Sequence, residues 1–164
     1  MILSGKIGLN GIWKERCKMI LNFKPQFKGQ ILNGTKIHSI RYDQYRRWKP
    51  GMVIHFATGA RTKLYDQFWY GHCKSIQDIS IERRIDKDGI ISSRVWIDKR
   101  ELIAPEIVEL AVNDGFVEGV NNFLEFFISK DYLVALRYAD HSVVSREVSL
   151  TYHGRIIHWT CERY

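Results

Sequence analysis

Lys36-Ile37-His38-Ser39-Ile40-Arg41-Tyr42-Asp43 is the stretch around which the chain organises. Ile37, Ser39 and Arg41 alternate with Lys36, His38, Ile40 and Tyr42, the period-two pattern of a strand. Upstream, Pro25 opens a short helix reaching Asn33, since proline lacks an amide hydrogen that the first helical turn would leave unused. Phe27, Ile31 and Leu32 recur at near-helical spacing, and Asn33-Gly34 supplies the C-cap. Before that helix, Met19-Ile20-Leu21-Asn22-Phe23 reads as a short strand. Residues 1–18 hold three glycines and no clear period, and are expected to be a poorly ordered extension of a single domain over residues 19–164.

Downstream, Trp48-Lys49-Pro50-Gly51 is a turn, because proline fixes φ and glycine tolerates its positive values. An apolar strand over Met52 to Ala57 leads into a basic loop, Thr58 to Lys63. Phe68 to Arg84 reads as one long β-rich run containing a bulge. Asp86-Lys87-Asp88-Gly89 turns it into a hairpin with Ile90 to Ile97. The period then changes. Pro105 to Asn113 is expected as a helix with Glu106 favourably placed in its first turn, and Val117 to Ser129 as a second, with Val120, Phe123, Leu124 and Phe127 on one stripe. Val143 to Tyr152 and Arg155 to Thr160 read as a terminal hairpin about His153-Gly154. The order β-α-β-β-β-β-α-α-β-β implies an α+β or small-barrel fold; strands and helices do not alternate as a doubly wound sheet requires.

The chain has 164 residues, of which 45% are hydrophobic and 13% aromatic, a composition that excludes a disordered or low-complexity protein. A chain of this length buries roughly 70% of the surface its unfolded form exposes, so it folds without staples. It contains no run of about 18 apolar residues, and therefore no expected transmembrane helix. Cys17, Cys73 and Cys161 are three, far apart, and without a C-x-x-C pair. That pattern argues for a reducing, cytoplasmic compartment rather than a disulfide framework. Cys73 and Cys161 read as small buried hydrophobes. The six histidines form no i, i+4 pair, so neither a metal nor a cofactor is expected. His55 and His158 fall in apolar β runs and read as core.

The formal net charge is +7, and it is concentrated. Lys24, Lys28, Lys36, Arg41, Arg46, Arg47, Lys49, Arg61 and Lys63 stand in one window whose only acid is Asp43. Such a window suits a polyanion, because each neutralised phosphate releases counterions. Tyr42, Tyr45 and Trp48 interleave with Arg41, Arg46, Arg47 and Lys49, as in surfaces that stack unpaired bases while cations follow the backbone. Trp48 beside Pro50 also reads as core wall.

Lys36 and Ser39 raise a different chemistry. A partly desolvated lysine beside a hydroxyl makes a nucleophile pair, and a nearby arginine clamps phosphate or polarises a carbonyl. Strict alternation puts Lys36 and Ser39 on opposite faces, so a bend near Gly34 is required to bring them together. The same residues on a solvated strand edge would need no function at all.

Phe23-Lys24-Pro25-x-Phe27, Ile31-Leu32-x-Gly34-x-Lys36, Ser39-Ile40-Arg41 and Trp48-Lys49-Pro50-Gly51-Met52 together resemble the ASCH domain, with Asp114-Gly115-Phe116 standing where that family has a Glu-Gly-Phe-type segment. The resemblance spans about Met19 to Thr160. It implies a PUA-like small mixed β-barrel flanked by short helices, binding RNA or a nucleotide derivative. In a hydrolase branch of the family a lysine, a threonine and a glutamate act on acetylcytidine. By position these fall on Lys36, Ser39 and Asp114, with an accompanying arginine at Arg41. Serine replaces threonine, aspartate is one methylene shorter than glutamate, and the family's Gly-Asp turn is here Gly51-Met52.

The expected function is therefore RNA or modified-nucleotide binding through Lys36, His38, Ser39, Arg41, Arg46, Arg47, Lys49, Arg61 and Lys63, DNA being a second polymer that the same charges fit. The alternative is an amidohydrolase acting on an acylated nucleoside, with Ser39 as nucleophile, Lys36 as its activator and Asp114 handling a proton. A third class, a protein module meeting an acidic partner, would need only the basic loop.

Overall fold

Residues 18–139 and 147–164 are described by the computed structural model of the chain; apart from Lys18, the expected extension lies outside them. In chain order the elements are β1 (Lys18–Phe23), α1 (Gln26–Leu32), β2 (His38–Arg41), β3 (Val53–Thr58), β4 (Asp66–His72), β5 (Ser75–Ile85), β6 (Ile91–Ile97), β7 (Arg100–Glu101), α2 (Ala104–Asn113), α3 (Val120–Phe127), α4 (Lys130–Tyr138) and β8 (Val148–His158). The fold is mixed α+β, with one three-stranded sheet, β1-β3-β4, and one five-stranded sheet, β2-β8-β5-β6-β7. Among the described residues the strands form these two sheets and no closed barrel.

The five-stranded sheet is antiparallel, and it is buried on both faces at the end of β8, where Ile156 and Ile157 point to opposite sides. Along β5, Gln77, Ile79, Ile81, Arg83 and Ile85 are buried while Asp78 and Arg84 are exposed, the alternation of a half-covered strand. Ile79, Ile81 and Ile85 join Ile40, Val95, Ile97, Leu110, Phe123, Leu133 and Ile156 in a core roofed by the helices. A second core lies between the two sheets, where Leu21, Phe23, Ile54 and Phe56 of the small sheet meet Ile157 and Trp159, with Phe27 and Ile31 of α1 closing one side. The Phe56 ring packs edge-on against Trp159 at 4.9 Å between centroids. Trp48 is buried in this core, as its place beside Pro50 suggested.

Three expectations about the elements need correction. The run from Phe68 to Arg84 is two strands separated at Cys73-Lys74, not one bulged strand. The second expected helix covers only Val120–Phe127; Ile128 is extended, and Ser129 starts a further helix, α4, with Leu133 and Arg137 on its buried side. The expected terminal hairpin is a single strand. His153-Gly154 does not turn, and β8 runs straight through it to pair with β5 along its length and with β2 at its end. Gly154 is there for space, since a Cβ would lie 2.6 Å from the Tyr152 ring. The part of that hairpin before residue 147 falls outside the described residues.

Cys73 is buried and its thiol is pushed up to about 11 by burial, whereas Cys161 is exposed, against expectation. His158 is core as expected, and His55 is half-buried, its Nδ1 2.7 Å from Gln67 Oε1. No described helix is long and apolar enough to cross a membrane.

Candidate functional site

The site forms where three chain segments meet. Lys36 N–H donates to Gln30 O at 3.0 Å, and Ile37 N–H to Asn113 O at 3.0 Å. These bonds hold the link between α1 and β2 against the C-terminal end of α2. Lys36 therefore precedes the strand, which begins at His38, and the strict alternation that separated it from Ser39 does not apply. On the other side, α2 ends at Asp114-Gly115. Gly115 has φ +91°, and a Cβ there would sit 2.3 Å from Gln30 Oε1 and 3.0 Å from the Phe27 ring. Glycine lets the end of α2 close onto α1, and that approach carries Asp114 to Lys36.

Lys36 and Asp114 are both buried, with Lys36 Nζ 2.8 Å from Asp114 Oδ1 and also donating to the Asp114 carbonyl. Phe27 faces the ammonium from 4.9 Å. Ile40 N–H donates to Asp114 Oδ1 at 3.3 Å. Burial pulls the Lys36 ammonium below its ordinary range, opposed by the charge of Asp114. Burial pushes the Asp114 carboxyl upward, but Lys36 and His38 outweigh it and hold the group below the usual carboxylate range.

Asn22, Phe23, Lys24, Phe27, Phe116 and Phe126 complete, with Lys36, Ser39, Ile40, Arg41 and Asp114, the wall of a cavity of about 140 Å³. Ser39 is buried, lines this cavity, and its hydroxyl makes no hydrogen bond among the described residues. The Arg41 guanidinium donates to Asn22 O at 2.7 Å and lies 5.1 Å from the Phe23 ring. At the rim, Lys24 stands 5.0 Å from the Phe126 ring, and Asn22 Oδ1 accepts from Ala60 N–H at 2.9 Å. That last bond ties the basic loop between β3 and β4 to the cavity edge.

Lys36, Ser39, Arg41 and Asp114 thus share one concavity. His38 does not line it. Its ring is fully buried behind Asp114, with Nε2 2.8 Å from Tyr164 Oη and Nδ1 3.3 Å from Asp114 Oδ1, at an angle poorer than that of a good hydrogen bond. Arg46, Arg47, Lys49, Arg61 and Lys63 are exposed and off the cavity wall. Arg46 pairs with Asp78 at 3.0 Å across a wider, shallower depression of about 450 Å³, and Arg47 lies 3.7 Å from Asp43. Asp43 is committed to structure, its carboxylate accepting from the Arg47 and Trp48 amides at 3.0 and 3.1 Å. Tyr42 and Tyr45 are exposed. Sequence reasoning placed Lys24 in the basic window and the ASCH-like motif without assigning it to the site, and missed Asn22, Phe126 and Tyr164. Asn22 directly precedes that motif, a usable signal, whereas nothing local marks Phe126 or Tyr164.

Among the described residues no three His, Cys, Asp or Glu side chains gather as a metal would require. No protein-family model, curated protein or solved structure matches the chain, so the ASCH resemblance stands on its short motifs alone.

Proposed function

We propose that the cavity at Lys36, Ser39, Arg41 and Asp114 is an ASCH-type site, in a PUA-like arrangement of the two sheets, that binds a modified nucleotide, free or within RNA. The observation that carries this reading is the convergence of those four residues, distant in sequence, on one partly enclosed space. At about 140 Å³ the space is below the roughly 300 Å³ at which whole-ligand pockets begin. It suits a base or its substituent, with sugar and phosphate left outside against Lys24, Arg41 and the basic loop. Arg41 presents a planar fork suited to phosphate.

The amidohydrolase reading keeps a place because the uncommitted Ser39 hydroxyl and the desolvated Lys36 share the same cavity. In that reading Ser39 Oγ adds to the acyl carbon as its proton passes to Lys36, whose ammonium gives a proton to Asp114. Arg41 stabilises the oxyanion. The C–N bond then breaks, and the leaving amine takes the proton back from Lys36. Water next cleaves the Ser39 ester, releasing the carboxylic acid. Asp114 returns its proton to Lys36 as the amine leaves, restoring the ion pair.

The test is a titration with short single-stranded RNA, DNA of the same sequence, and free modified nucleotides, each at two salt concentrations. Binding lost in Arg41→Ala and only modestly salt-dependent supports the pocket. A steep slope, about −0.7 per phosphate contacted, would mark a polymer surface instead. Absence of binding to all three overturns the proposal. Release of free acid from acylated nucleosides, abolished by Ser39→Ala and Lys36→Ala, would decide for hydrolysis.

A further inference from the structure

Three donors, Lys36 Nζ, His38 Nδ1 and Ile40 N, face a single oxygen of Asp114, Oδ1. Among the described residues none reaches Oδ2. Asp114 lines the cavity, so Oδ2 is the oxygen left to a ligand. Whether it points there depends on what surrounds Oδ1, and the third group facing it is an imidazole off the cavity wall, 3.3 Å away.

The protonation of that ring follows from its neighbours. A bare Nδ1 would set a lone pair against a carboxylate 3.3 Å away, so Nδ1 carries the proton. Nε2 is then an acceptor, and Tyr164 donates to it across 2.8 Å. With its proton so used, Tyr164 Oη accepts, and the Asn113 amide donates to it from 2.9 Å. The polarity runs from Asn113 through Tyr164 to His38, whose Nδ1 faces Asp114 Oδ1 from 3.3 Å at an angle short of a good hydrogen bond. Ring contacts support the same geometry: His38 meets Tyr164 edge-on at 5.4 Å and His158 at 5.5 Å.

We propose that Tyr164 is a positioning residue for the pocket, acting through His38 to fix the Asp114 carboxylate with Oδ1 bound and Oδ2 presented to the ligand. The arrangement parallels the orienting partner of a catalytic imidazole, except that here the imidazole itself is the orienter. The role deepens the proposed ligand site and rests on it for its purpose. The charged and titratable groups facing Asp114 are Lys36, His38 and Arg41, with the Tyr152 and Tyr164 hydroxyls beyond.

The experiment is NMR on the whole protein without ligand. Nitrogen shifts of His38 should show a neutral ring protonated at Nδ1 and bare at Nε2. In Tyr164→Phe, which keeps the ring packing, His38 should lose its single tautomer and Asp114 should titrate at higher pH than in the wild type. His38→Asn, whose amide nitrogen stands near the Nδ1 position, should restore the wild-type Asp114 titration; His38→Leu should not. A wild-type ring protonated at Nε2 overturns the proposal, as does an Asp114 titration unmoved in both Tyr164→Phe and His38→Leu. These readouts need no ligand. Failure of nucleotides to bind would remove the proposed function while the relay, seen directly, stood.

Discussion

Lys36 and Asp114 are 78 positions apart in the chain, yet their charged ends lie 2.8 Å from each other with almost no access to water. A buried pair of this kind is worth less than its Coulomb attraction suggests, because both ions were desolvated to form it. Its value is in what happens when one partner goes.

Lys36→Met should therefore destabilise the protein by about 3–5 kcal/mol, the range for an orphaned buried charge. Lys36→Met combined with Asp114→Leu should recover much of the loss. Urea denaturation of the two single variants and the double variant reads the difference. A double variant as unstable as Lys36→Met would mean that the pair contributes through packing and not through charge.

Ser39→Ala should behave in the opposite way. The hydroxyl has no partner to lose among the described residues, so its removal should leave stability within about 0.5 kcal/mol. Ligand binding or turnover should fall sharply. Paired thermal melts and titrations separate the two effects.

Stability should decline on acidification in two stages. His158 is buried, neither ring nitrogen has a partner among the described residues, and burial draws its ionisation down to about 3. His38 is shifted downward by the same cause. The unfolded chain takes up these protons near pH 6.5 and the folded one does not, so stability is present above that pH and falls below it. The slope is about 1.4 kcal/mol per pH unit for His158, and His38 adds to it in the same direction. Asp114, held below the ordinary carboxylate range, adds a second loss as pH falls through about 4 and lower. Denaturation midpoints at pH 7, 6, 5 and 4 test this. His158→Phe should make the first decline shallower by about 1.4 kcal/mol per pH unit, and an unchanged slope would refute the assignment.

Thiol labelling should distinguish the cysteines. In a Cys17→Ser background, Cys161 should react at once and Cys73 only on unfolding, because Cys73 is buried and its thiol is raised to about 11. Rapid labelling of two thiols in the native protein would contradict this.

The legible part of the site was chemical. Lys36, Ser39, Arg41 and Asp114 stand out through residue type and motif, and the structure gathers them. Their geometry was not legible from period, because the alternation assigned to Lys36 belongs to a strand that starts two residues later. The elements bounded by strong turn residues, such as α1 before Gly34 and the hairpin about Asp88-Gly89, are where the residues put them. Gly154 misled because a glycine that makes room for Tyr152 is indistinguishable in sequence from one that makes a turn. The start of α4 was hidden because Ser129 follows an apolar stripe without a break in composition. The place of His38 could not be read at all, since its partner, Tyr164, is set by tertiary packing.

Within its sheet, β2 has one strand neighbour among the described residues, and that neighbour is β8, with Ser39 opposite Ile157 and Arg41 opposite Arg155. The strand that bears Ser39 and Arg41 finds its partner in this sheet only once residues 148–158 have left the ribosome. Long-range closures of this kind are slow, because loop entropy is lost before contacts repay it. The strand that carries half of the pocket's chemistry is set in place only with the insertion of β8, far from it in the chain.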